Sequence, residues 1–349
     1  MKKFYAVIGN PPYQEESVGD QKTYQKPIYP NFMDEAFKVG EKVELVTPAR
    51  FLFNAGSTPK FWNRKMLNDP HLKVIAHNTN SKEFFPSQQI MGGVVVTLHD
   101  SARMIGPIGT FTVFDELNSI IRKIEAKEFE SFSSAVLSRT SYRLTDLLHK
   151  DFPNARQKLS SGHLYDMSSN IFELLPDVFT ATKPSDAHLY LTILGRFEGA
   201  RVLRFVRKDY VNNVPNLPNY KVFMSSANGA AGTLGDRPAR IVGQPILGLP
   251  EEGATETFIS VGSYISKQEA QASIRYIMTK FARVLLGVCK TTQHVTPDTW
   301  KYVPLQDFTD QSDIDWSQSV SDIDRQLYRK YGLDNTEIEF IESHVKEMN

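Results

Sequence analysis

The sequence predicts an α/β protein built from half of a doubly wound, Rossmann-like sheet over residues 1–114. A connecting helix follows over 115–130, then an α+β domain over 131–310 and a helical hairpin over 311–349. Three observations carry this reading. Short apolar runs alternate with amphipathic stretches through the first hundred residues. That alternation stops near Ser131. Apolar residues at helical spacing lie on both sides of Gly332 near the end.

Residues 4–8 read as a buried strand that ends abruptly at Asn10-Pro11-Pro12-Tyr13. Pro11 and Pro12 lack an N–H and have fixed φ, so the strand cannot continue through them. The residue before each proline is pushed toward extended geometry. A stiff loop therefore stands at the strand's carboxyl end, the edge where open α/β sheets bind ligands. Residues 14–25 are polar and are expected to form a mobile loop. A helix then opens at Pro30 or Asn31, carries Phe32, Met33, Ala36 and Phe37, and stops near Gly40. Residues 43–46 form a covered strand, and Thr47-Pro48-Ala49-Arg50 shares Asn10's edge if the two strands are parallel. Arg50 there either touches a phosphate or pairs with an acid. A loop and helix over 54–65, with Trp62, precede strands at 72–76 and 93–98. A half-sheet of this kind leaves an apolar edge strand that seeks a partner or aggregates. Leu117, Ile120, Ile121 and Ile124 supply the stripe of the connecting helix.

Beyond residue 131, strands are expected at 189–194, 202–206 and 220–224, followed by an uncharged loop over 225–235. Ser266-Lys267-Gln268-Glu269 is a capping-box pattern. It opens one helix running to Val288, with Ile274, Ile277, Met278, Phe281 and Leu285 inward and Lys280, Arg283 and Lys290 elsewhere. The tail reads as helices over 319–331 and 334–348. Arg201, Arg204, Arg207 and Lys208, with Arg196 nearby, are the densest basic cluster. They form either a surface that tracks a nucleic-acid backbone or a solvated strand face. Gln293 is able to read an adenine edge and Lys290 to meet a phosphate, although cations near a helix C-terminus also complement its dipole.

The 349 residues balance 40 basic against 40 acidic side chains, so a nucleic-acid partner requires segregated charge rather than an overall basic chain. The single cysteine, Cys289, excludes an intramolecular disulfide, fits the reducing cytoplasm, and reads as a buried small hydrophobe. No run is long enough for a membrane helix, and no signal peptide is evident. His163 has no metal-ligand spacing around it, so no metal is expected.

Asn-Pro-Pro-Tyr suits methylation of an exocyclic amine on a planar base. The Asn10 side-chain oxygen and the Pro11 carbonyl both accept from the amino group, which draws the nitrogen lone pair out of ring conjugation. Tyr13 offers a flat face on which an extruded base can stack, worth ~1–3 kcal/mol. Positioning and electrostatics suffice, without a covalent intermediate.

Val7-Ile8-Gly9-Asn10-Pro11-Pro12-Tyr13-Gln14 resembles the catalytic motif of adenine-N6 DNA methyltransferases from restriction–modification systems. Leu45-Val46-Thr47-Pro48-Ala49-Arg50-Phe51-Leu52 and Phe84-Phe85-Pro86 with Gly92-Gly93-Val94-Val95-Val96 match the same catalytic domain. The resemblance extends through Tyr302-Val303-Pro304-Leu305 and is strongest to fused type II systems, whose target recognition domain follows the catalytic one. It implies a methyltransferase sheet, double-stranded DNA as substrate, a flipped adenine held between Tyr13 and Phe85, and S-adenosylmethionine as cofactor. In the family the donor sits on a glycine-rich turn before the catalytic motif, and only nine residues precede Asn10 here. Gly106, Gly109, Gly229, Gly232 and Gly235 lack a strand–turn–helix context. The expectation is a catalytic half joined to a recognition domain, with the cofactor half in a missing segment or a second subunit. The alternative is a non-catalytic DNA-binding protein derived from such an enzyme.

Overall fold

The computed structural model describes residues 3–15, 26–53, 57–83, 85, 90, 93–227, 234–235, 237–290 and 292–348. The expected mobile loop therefore lies largely outside the described residues, as do Pro86, Gly92, Gly229 and Gly232. The chain divides into two compact units between Asn118 and Ser119, inside helix α3 (Asp115–Glu125).

The first unit holds one sheet made of β1 (Phe4–Gly9), β2 (Gly40–Pro48), β3 (Leu72–Asn78) and β4 (Val94–Asp100), in the order β1-β2-β4-β3. Helix α1 (Tyr29–Val39) links β1 to its parallel neighbour β2, and α2 (Lys60–Leu67) precedes β3. A helical crossover returns the chain in the same direction, so β1, β2 and β3 run alike. Between β3 and β4 the described residues form a 3-10 turn at Ser81–Glu83, and β4 runs antiparallel to both neighbours. The four-stranded sheet is thus mixed rather than wholly parallel. Tyr29 and Met33 of α1 and Trp62 and Met66 of α2 bury against Val43, Leu45, Phe51, Leu72 and Val95.

Two details differ from expectation. β1 is not buried: Phe4 and Tyr5 are exposed and Ile8 is 78% accessible, while Val7 packs on the core. The cause is its place at the sheet margin, with one neighbour strand instead of two. Phe32 is exposed as well. At the start of β4, Gly93 has φ +78 and a Cβ there would lie 2.1 Å from the Asn78 carbonyl oxygen. Its own carbonyl accepts from Ala49 N–H at 3.1 Å, which fixes the loop after β2. Only glycine combines that φ with that approach.

The second unit contains a sheet of β6 (Tyr190–Phe197), β7 (Ala200–Arg207) and β10 (Glu252–Ala254), ordered β10-β6-β7. A second sheet, ordered β5-β11-β8-β9, joins β5 (Val136–Leu137), β8 (Tyr220–Ser225), β9 (Ile246–Gly248) and β11 (Phe258–Tyr264). Short helices α4 (Asp146–Asp151), α5 (Ala155–Lys158) and α6 (Ile171–Leu174) add Leu148, Ala155, Ile171 and Phe172 to a core with Leu191, Ile193, Val206 and Phe223. Within it Lys221 is fully buried, its ammonium donating to the carbonyls of Leu217, Leu249 and Glu252 at 2.9–3.1 Å.

The single helix expected from Ser266 is two helices, α7 (Lys267–Met278) and α8 (Lys280–Cys289). Ser266 caps the first as expected, accepting from Glu269 N–H at 3.1 Å. Thr279 then takes extended geometry and caps the second, accepting from Ala282 N–H. Asp324 of α9 (Val320–Tyr331) accepts from the N–H groups of Lys280 and Phe281 at 3.0 and 2.9 Å. Arg283 does not point away from the core. It is buried, and its Nε donates to the Met278 and Thr279 carbonyls that the break leaves open. In the tail, α10 (Asn335–His344) starts at a reciprocal Asp334–Glu337 capping box, with Lys123 Nζ 2.6 Å from Glu337. Among the described residues no helix is long and apolar enough to cross a membrane.

Candidate active site

Pairing Gly9 with Leu45 in the parallel β1–β2 ladder brings Asn10–Tyr13 and Thr47–Arg50 out at the same sheet edge. Asn10 and Pro12 are exposed, and Pro11 and Tyr13 are half-buried, so the corner is open to solvent. After Tyr13 the chain returns alongside itself: Glu15 N–H donates to Lys26 O at 3.0 Å and Ile28 N–H to Tyr13 O at 3.1 Å. These bonds clamp the corner from its carboxyl side.

The Tyr13 hydroxyl is buried near the Asn10 side chain without a hydrogen bond of good geometry. Burial pushes the phenol up to about 12, and the Asn10 side chain opposes that shift. Tyr13 is therefore a neutral aromatic surface at any working pH. Phe85 meets it edge to face, with ring centroids 6.2 Å apart and planes at 82°. The two rings expected to hold a base are thus neighbours, but the edge-on contact fills the space between them. A base enters between the rings only if Phe85 moves. Arg50, whose partner the sequence left open, has no carboxylate on it among the described residues and lies near the Tyr29 phenol.

Gly106 and Gly109, the described glycine pair of the first unit, donate their N–H groups to Pro70 and Leu67 carbonyls. Those carbonyls precede β3, at the edge opposite Asn10. Among the described residues, no glycine turn beside Asn10 fits a nucleoside donor.

These features coincide with a sequence similarity. Over residues 1–85 the chain matches the Eco57I restriction-modification methylase family. It is also 30% identical over 94 residues to an uncharacterized adenine-specific methylase of Mycoplasma pneumoniae, covering 26% of this chain and 22% of that protein. Among solved structures, the type IIG restriction endonuclease BpuSI aligns with 91% of this chain and 48% of its own, at 10% identity and a TM-score of 0.33. The chain thus spans less than a quarter of the methylase and about half of BpuSI.

The basic residues of the second unit separate into distinct settings. Arg207 is held by Asp209 at 2.6 Å and Asp151 at 3.4 Å and lies over the Tyr210 ring, and Lys208 is 2.6 Å from Glu251. Both are neutralised by acids, which the cluster's sequence does not reveal for Asp151 and Glu251. Lys290 is 1% accessible and its Nζ donates to Thr292 O at 3.1 Å, so the expected phosphate contact is not available to it. The cause is burial at the end of α8, where the ammonium binds a carbonyl of its own turn. Gln293 is exposed in the turn that follows. Arg201 is exposed and Arg204 half-buried, and no acid pairs with either among the described residues. His163 is bound to Asp166 at 2.7 Å, and no group of His, Cys, Asp and Glu among the described residues is arranged to hold a metal. Cys289 is half-buried and burial raises its thiol.

Proposed function

We propose that this chain acts in site-specific adenine-N6 methylation of double-stranded DNA within a restriction–modification system, with S-adenosylmethionine as donor. The observation that carries the reading is the solvent-open Asn10–Tyr13 corner at the carboxyl edge of the sheet. Asn10 Oδ1 and the Pro11 carbonyl accept hydrogen bonds from the two N–H groups of the adenine amine and orient its nitrogen. Tyr13 stacks the extruded ring, and Phe85 swings to cover the other face. Extrusion costs a few kcal/mol, offset by stacking and by hydrogen bonds to the flipped edge. When bound, S-adenosylmethionine supplies an electrophilic methyl group.

The donor is held outside the described corner, by another segment or a second subunit that continues the sheet beyond β1. The apolar, accessible Phe4, Tyr5 and Ile8 support this placement. Residues 131–310 select the DNA sequence. The test is transfer of labelled methyl groups to duplex DNA, by the chain alone and with candidate subunits. Asn10→Ala should abolish transfer without weakening duplex binding more than a few fold; transfer that survives it rules the mechanism out. The misfit of Gly106 and Gly109 favours one second reading, a DNA-binding protein without chemistry. Labelled transfer in the presence of candidate subunits separates the two, because methyl transfer to duplex DNA that Asn10→Ala abolishes contradicts that second reading.

A further inference from the structure

Strands β6 and β7 pair along their whole length, from Tyr190↔Arg207 to Phe197↔Ala200. The third strand, β10, covers β6 only from Thr192 to Leu194. Residues 196–201 therefore form a two-stranded tip. It turns through Glu198 (φ 48) and Gly199 (φ 79), the left-handed pair of a two-residue hairpin turn. A Cβ on Gly199 would meet nothing within 4 Å, so the turn stands in open space.

Register assigns the arginines to faces. Arg196 lies directly opposite Arg201, so both project from one face. Arg204 lies opposite buried Ile193, on the other face. Like charges directly across a strand pair repel. No carboxylate relieves them among the described residues; Glu198, at the turn, forms no ion pair there. Arg201 rests over the Phe258 ring at 5.9 Å and Arg204 over Phe197 at 5.0 Å, which restrains the guanidiniums without neutralising them. Phe197 in turn packs on the core and braces the tip.

We propose that this arm is a DNA-contacting ribbon, with Arg196 and Arg201 each placed on a phosphate of the duplex. The inference rests on the DNA reading above and goes beyond it by assigning the contact to one pair of residues. A two-stranded ribbon fits a duplex groove, and guanidiniums bind phosphate oxygens with paired hydrogen bonds. Such contacts anchor the protein without reading bases.

The experiment measures affinity of the full chain for a fluorescently labelled duplex of mixed sequence as salt is varied. Each phosphate contact contributes about 0.9 to the slope of log affinity against log salt. Arg196→Gln with Arg201→Gln should reduce the slope by about 1.8. Between about 50 and about 200 mM salt, the variant should thus lose roughly tenfold less affinity than the parent. Lys183→Gln, an exposed charge elsewhere, should leave the slope unchanged. Glu198→Arg should steepen it, and serves as the second variant if the double substitution does not fold. A parent slope in both the double variant and Glu198→Arg overturns the arm's role while leaving the DNA reading intact. Absence of salt-dependent duplex binding by the parent overturns both.

Discussion

Tyr13 and Lys221 show opposite uses of a buried polar atom. Tyr13 keeps its hydroxyl under cover while its half-buried side chain packs against the core, so what it offers a ligand is the ring rather than the hydroxyl. Tyr13→Phe should accordingly bind a fluorescent base analogue at the target adenine about as well as the parent. Tyr13→Ala should bind it roughly 5- to 150-fold more weakly, the equivalent of one base–aromatic stack. Equal loss in both variants would assign the role to the hydroxyl instead. Lys221 supplies its charge to three carbonyls and, among the described residues, has no acid within hydrogen-bond reach. Burial lowers its pKa to about 8. Lys221→Met strands those carbonyls and should destabilise the second unit by about 3 kcal/mol or more in denaturant melts. Neither Lys221 nor Lys290 was legible as interior, because a cation in sequence carries no mark of the carbonyls it will meet.

The elements most legible in sequence were those whose pattern and ends agree. β2 between Gly40 and Pro48, α3 with its isoleucine stripe, and the capped α7 and α10 are of this kind. β11 was missed although it is central to its sheet, because Gly262 and Ser263 interrupt its apolar run and no alternation survives. The break at Thr279 was hidden for the converse reason: the apolar stripe continues across it, and the acid that makes the break tolerable lies far along the chain in α9. Burial raises the Asp324 carboxyl to about 7, with Glu342 adding to the shift and Arg283 and two backbone N–H groups opposing it. A folded pKa above the unfolded one favours the protonated native state. This contribution to stability is complete below about pH 4 and is lost as the pH rises through about 7. The melting temperature should fall correspondingly between pH 5 and pH 8, and Asp324→Asn should flatten the fall. A pH profile unchanged by that substitution would sink the assignment. Thr279→Ala should cost about 1 kcal/mol through the lost cap.

For the molecule as a whole, the first unit leaves an apolar margin along β1 where Phe4, Tyr5 and Ile8 face solvent. That the sheet would end in such a margin followed from the order of strands; that β1 itself would be the margin did not follow from its composition, which reads as interior. Lys42 shields part of it, lying over the Tyr5 ring and donating to its hydroxyl. An uncovered strand of this composition associates with other chains. Ile8→Lys should reduce concentration-dependent light scattering of the isolated chain. The same change should block any subunit that docks there, which a pull-down with that subunit would register.

The backbone bonds that join Tyr13 and Glu15 to Ile28 and Lys26 also have a practical meaning. They fasten together the two ends of the stretch between, so its length is uncoupled from the geometry of the asparagine corner. Doubling such a closed stretch adds only ~0.6 kcal/mol of closure entropy. A reporter or a foreign peptide spliced in between Glu15 and Lys26 should therefore leave the asparagine corner's geometry intact.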